Sequence, residues 1–310
     1  MKKLTALAVL LGGCVLLSAC GSGAVIPGNY KTPTDAELEE ALSSIDGDAM
    51  FGDPAAEDYR IGLRADASFF FSIRSGEQEM SADLDMDYLL SGTGETDVAG
   101  AGSLSAHSTE NGTVTAADYT FYNDNVYFYF DDTTDDASGK KVTLDEIGNF
   151  ISSALGSLGD LGNMPYAGTA LLAESSTDPL PAESTLAQMQ EAGIDVGLDT
   201  GSGVKLRLKM NETFFANLAA QIGQTNGMEV EFPAQTLEVY FYVNEDGLFE
   251  QVSAVVNVSM EMSYMDNTVT MELNGDFLLA RSEEEVVLPE EVKSYPETDL
   301  QLPSGGGTIL

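Results

Sequence analysis

Cysteine, histidine and tryptophan are almost missing from this chain of 310 residues: it has two Cys, one His and no Trp. Structural and catalytic zinc sites need several Cys or His ligands, so zinc is excluded as an organising metal. Cys14 and Cys20 both lie within the first twenty residues. The remaining chain therefore has no disulfide framework and no thiol nucleophile. Neither a GxSxG nor an SxxK pattern occurs, and a Ser-His-Asp arrangement would have to use His107, in the polar stretch "GSLSAHSTENG". That context predicts an exposed loop or strand-end histidine, because a catalytic base also needs a nucleophile and an orienting group beside it. The sequence nominates no catalytic residue, no metal site and no cofactor, and it predicts a protein that is not an enzyme.

Basic residues are scarce too, 13 Lys and Arg against 51 Asp and Glu. A surface this acidic repels phosphates, which excludes nucleic acid as a partner and keeps the protein soluble and well spaced. Hydrophobic residues still make up 43% of the chain, enough for a sizeable core. Acidic clusters raise the question of calcium. "DLDMDY" (Asp83, Asp85, Asp87) has one-three-five spacing, but Tyr88 stands where an EF-hand loop needs glycine, and the alternation with Leu84 and Met86 reads as a strand. "DDTTDDASG" (Asp131, Asp132, Asp135, Asp136, Gly139) is the better place for weak calcium binding, and it reads first as a solvated acidic turn.

No apolar run is long enough to span a bilayer; the longest, Leu4 to Leu17, follows Lys2 and Lys3 and precedes small residues. That layout is a secretory signal peptide. "LSAC", Leu17 to Cys20, resembles the bacterial lipobox, which implies cleavage after Ala19 and acylation of Cys20. Two or more acyl chains anchor stably where one does not. The expected location is the extracytoplasmic face of the cell membrane, with residues 1–19 removed and 20–33, rich in Gly and Pro, as a flexible stalk. Losing Lys2 and Lys3 takes the side-chain balance from −38 to −40.

From Thr34 onward the main signal is period-two alternation over long spans. Ile61, Leu63, Ala65, Ala67, Phe69, Phe71 and Ile73 alternate with polar residues. Met80 to Leu90 does the same on even positions. Weaker strands follow at Ala101–Ala106 and Thr113–Tyr122, and a stronger one at Asn125–Asp132. The second half repeats the pattern at Val204–Met210, Leu237–Asn244, Gln251–Tyr264 and Val269–Leu279, with Gly62 and Gly275 as candidate bends. Strands of thirteen residues or more imply a large curved antiparallel sheet, a half-barrel in an α+β fold. Four helices are predicted between the strand groups. Thr34/Glu37 and Thr143/Glu146 have capping-box spacing, Asn211 caps "ETFFANLAAQIG", and "ESTLAQMQEAG" is the fourth. Residues 158–182, broken by Gly and Pro, join the two halves.

Lipobox, stalk, amphipathic helix, long meander, helical connection, then strand, helix and three long strands ending in "VVLPEEVKSYPE": this order resembles the LolA/LolB-like half-barrel carriers, LppX- and LprG-like lipoproteins among them. The resemblance covers Thr34 to Pro296, with 297–310 as a disordered tail. It implies a curved sheet wrapped on helices with acyl chains or another apolar ligand between. A one-sided sheet this long must cover its dry face, and four modest helices leave part of the concavity for a guest. The inward Met and Phe residues Phe69, Phe71, Met80, Met86, Met260, Met262, Met271 and Phe277 are the candidate lining, large or adaptable side chains suited to a variable apolar ligand. The alternative is a surface scaffold lipoprotein whose core is filled by its own side chains. Lys205, Arg207 and Lys209 gather on one strand face and are expected to pair with neighbours such as Glu238.

Overall fold

The alternating segments form one sheet. The computed structural model describes residues 25–45, 50–52, 59–93, 97–133, 139–144, 146, 185–226, 228–264 and 267–298. The strands are β1 (Arg60–Ser75), β2 (Gln78–Thr93), β3 (Asp97–Glu110), β4 (Thr113–Asn123), β5 (Tyr127–Asp132), β6 (Lys140–Thr143), β7 (Ile194–Asp199), β8 (Val204–Met210), β9 (Glu229–Val243), β10 (Phe249–Tyr264) and β11 (Asn267–Arg281). Among the described residues there are three helices, α1 (Asp35–Ser44), α2 (Thr185–Glu191) and α3 (Glu212–Asn226). All strand pairs are antiparallel, in the order β6-β5-β4-β3-β2-β1-β11-β10-β9-β8-β7, and the sheet is curved and does not close. Two meanders, β1–β6 and β7–β11, are thus zipped together where the first strand meets the last. The long hairpins follow from local chemistry: Gly76 and the Asn111–Gly112 pair supply the positive φ that two-residue turns require.

The predicted helix starts are present. Thr34 accepts from the Glu37 amide while the Glu37 carboxylate accepts from the Thr34 amide. Asn211 accepts from the Thr213 amide at the start of α3. The same reciprocal pair joins Thr143 and Glu146, although the helix predicted beyond Glu146 lies outside the described residues. So do Cys20, the signal peptide and the connection 158–182.

One face of the sheet carries the core. Leu38, Ala41 and Ile45 of α1 and Leu186 of α2 cluster with Ala65, Ala67, Val196, Leu198, Leu206, Phe241, Val243, Phe249, Val252 and Phe277. Phe241 and Phe249 are 1% exposed and Val252 is fully buried, each contributing about 2 kcal/mol of apolar burial. Phe215 of α3 packs its ring 5.3 Å from that of Phe232 on β9. Gly62, a candidate bend, makes room for the Ser282 carbonyl, which lies where a Cβ would stand.

An open sheet leaves two edge strands whose free amides and carbonyls invite other chains. Each is met by a terminal segment. Lys31 bridges to Leu198 on β7, and Lys141 on β6 bonds to Pro296 and Thr298. The stalk expected to run free to Pro33 is therefore held from Ile26 onward. Ile26 is 4% exposed, and Tyr30 lies over Arg207 and edge-on to Tyr240. Apolar and aromatic side chains in this Gly- and Pro-containing stretch give it a surface to bind. At the other end Glu297 and Thr298, expected in the free tail, belong to the edge contact.

Candidate functional site: the concave apolar face

Strand register assembles the dry face into rows, because directly paired residues of antiparallel strands point the same way. Met80, Ile73, Met271 and Met260 form one row across β2, β1, β11 and β10. Ala82, Phe71, Leu273 and Val258 form the next. Leu84, Phe69, Gly275 and Val256 follow, then Met86, Ala67, Phe277 and Ala254. Met262 pairs with Val269 and Val230 beyond the first row.

The helices divide this face into two zones. Phe277 is buried within the helix-covered core, and Met86 packs against it. These two side chains are core. Toward the hairpin ends Phe69, Phe71, Met260, Met262 and Met271 are half-buried, and Met80 is 41% exposed. Six of the eight nominated residues thus share adjacent rows at one end of the sheet, where apolar surface continues past the described helices. Leu84, Leu273, Val258, Ile73 and Val269 belong to the same surface, all visible in the alternation but passed over in favour of Met and Phe. Polar residues bound it: Ser108 and Glu110 of β3 stand opposite Ala82 and Met80, and Gln235 of β9 opposite Val258. On the β2–β5 side a run of stacked or tilted rings, Tyr88, Phe121, Phe128 and Phe130, has centroids 5.6 to 6.4 Å apart. Burial pushes the Tyr88 hydroxyl up to about 12, so it stays neutral, and it donates to Asn123 Oδ1.

A different, polar cleft of about 880 Å³ opens between the 29–33 segment, α1 and the β7–β8 and β9–β10 turns. Glu37, Glu40, Asp199, Glu245 and Lys31 line it, and none of the eight nominated residues does. Its charge suits water and ions better than acyl chains.

On the convex face His107 lies near the end of β3, with its side chain half exposed, a strand-end position as expected. Its Nε2 is 3.4 Å from Ser105 Oγ and 3.6 Å from Asp118 Oδ1, while Ser105 itself donates to Asp118. Serine and carboxylate thus share one imidazole nitrogen, whereas a triad needs them on opposite ones. Asp83, Asp85 and Asp87 alternate along β2 as strand residues. Asp131 and Asp132 end β5, and Asp135 and Asp136 of the proposed calcium turn lie outside the described residues. Among the described residues no three metal-ligating side chains come together, and no helix is long and apolar enough to cross a membrane.

Of the strand triplet Lys205, Arg207 and Lys209, one member makes the expected cross-strand ion pair, while Arg207 lies over the Tyr30 ring with its buried Nε lacking a hydrogen-bond partner. Lys209 pairs with Glu238 at 2.9 Å across β8 and β9. Burial opposes ionisation of Glu238, but hydrogen bonds from Tyr240 and Lys209 outweigh it and hold its carboxyl below the usual range. Lys205 sits over the Tyr242 ring and donates to the Pro27 carbonyl.

These features define a class: one open antiparallel sheet, curved over a few helices, with an apolar concave face that the described helices only partly cover. The chain matches no protein-family model and no curated protein.

Proposed function

We propose that this protein is a membrane-anchored lipoprotein that binds or carries a lipid or other apolar ligand on the concave face of its sheet. The observation carrying this reading is the run of half-exposed apolar rows from Phe69 to Met262, beyond the helix-covered core. Leaving a contiguous apolar surface only half buried is unfavourable, and apolar patches of this kind mark binding sites. Met260, Met262, Met271 and Met80 give the surface adaptable side chains, which suits acyl chains of varied length. The same arrangement underlies the resemblance to LolA/LolB-like half-barrel carriers, and the "LSAC" lipobox supplies the anchor through Cys20.

Delipidated protein titrated with a fluorescent acyl-chain lipid tests the reading. Wild type should bind saturably, and the Met80→Glu, Met271→Glu double variant, folded by circular dichroism, should lose most of that binding. Equal binding by both would move the ligand off this face. Absence of binding by either would favour the scaffold alternative, in which the chain covers this face itself.

A further inference from the structure

The geometry points to a fixed orientation on the membrane: the β7–β8 corner, where the tether leaves the folded body, lies nearest the anchoring bilayer, and the open end of the apolar face points away from it. This rests on the acylation of Cys20 but not on any ligand being carried.

The first argument is the length of the tether. Ile26 is buried against the sheet, so only the segment from Cys20 to Ile26 is available as leash. Six residue steps reach at most about 20 Å. From Ile26 the chain is fastened repeatedly. The Tyr30 hydroxyl donates to the Ile26 carbonyl, Asn29 donates to Asp199, and Lys31 pairs with Leu198 before the chain rounds the edge into α1. Gly197 opposite Arg207 makes room for this strap, since a Cβ there would lie 3.1 Å from Tyr30 Cβ. The tether therefore emerges from one corner of a rigid body.

The second argument is position along the strands. Leu206 and Phe241 share a row with Val252, Leu279 and Ala65, whereas the Ser75–Gln78 turn lies eleven residues further along β1. That is about 36 Å, and Met80, Met260 and Met262 lie toward that far end. An apolar cargo would then enter or leave on the side opposite the anchoring membrane, toward a partner or a facing envelope layer.

The test uses lipidated protein in vesicles of phosphatidylcholine and phosphatidylglycerol carrying a headgroup nitroxide lipid, with a fluorophore on Thr200→Cys at the corner or Glu77→Cys at the far turn. Both positions are exposed. Several-fold stronger quenching at 200 than at 77 is expected. Freeing the strap with Ile26→Asp and Tyr30→Ala should level the two sites while the protein still floats with the vesicles. Equal quenching in the otherwise unaltered protein, or stronger quenching at 77, overturns the orientation. Protein that does not float and carries no acyl mass overturns the anchor, and the orientation with it.

Discussion

Lys31 and Leu198 exchange both of their backbone hydrogen bonds, at 3.0 and 2.8 Å, and so turn the N-terminal segment into a short extra strand on the β7 edge. Lys141 treats the opposite edge similarly, donating to Pro296 and accepting from Thr298 at 2.9 Å. Edge capping at both ends covers the free amides and carbonyls through which an eleven-stranded open sheet would pair with other chains. A chain beginning at Thr34 should self-associate through β7, and one ending at Pro289 through β6, while the full-length body stays monomeric. Analytical ultracentrifugation at matched concentrations reads this directly.

The strap should also contribute to stability in its own right. Ile26→Ala removes a nearly buried aliphatic chain and should cost about 2 kcal/mol, the low end for such changes because the strap can detach locally. Gly197→Val should cost a similar amount by pushing Tyr30 off Arg207. Chemical denaturation checks both. Val25→Ala, at a site 59% exposed, serves as the control and should change stability little.

The two zones of the dry face should respond differently to truncation. Phe277→Ala, in the covered zone, should destabilise by about 3–5 kcal/mol. Met80→Ala, in the open zone, should cost under about 1 kcal/mol, yet it should weaken binding of an apolar ligand. Urea melts of the two variants, compared with lipid titrations, separate core from binding surface.

Acid should loosen the strap. Amides of Gly201 and Asn29 hold the Asp199 carboxyl below its usual range, and Glu238 is likewise held low by Tyr240 and Lys209 against the opposing effect of burial. Groups depressed on folding stabilise at pH above their unfolded values, about 4, and that contribution is lost as pH falls through the folded values. Stability should therefore be level from neutral pH to about 5 and fall below about 4. The Asn29 and Gly201 amides should lose hydrogen-exchange protection in the same range.

The strands with large, alternating side chains were legible: β1, β2, β8 and β10 start and end within two or three residues of the predicted bounds. β3 extends well beyond its predicted core because Gly100, Gly102, Ala99 and Ala101 give no contrast between faces. Half of β9 was missed for a different reason. A register shift near Pro233 moves the inward positions from odd to even, so the alternation breaks in the sequence although the strand continues. β6 is four residues long and β7 six, too short for a period to declare itself. The apolar rows were readable as stripes, but their division into core and open surface was not. That division depends on where α1 and α2 dock, which a sequence does not state. The strap was hidden by its composition, since Gly and Pro around Ile26 and Tyr30 suggest a linker.

Mass spectrometry of the intact, gently extracted protein under native conditions tests the central claim most directly. Membrane-derived protein should carry the Cys20 acyl chains plus a second, non-covalent lipid mass that dissociates on activation, and the Met80→Glu, Met271→Glu variant should show the acyl chains alone. An unaltered protein that consistently appears without any non-covalent lipid would contradict the account.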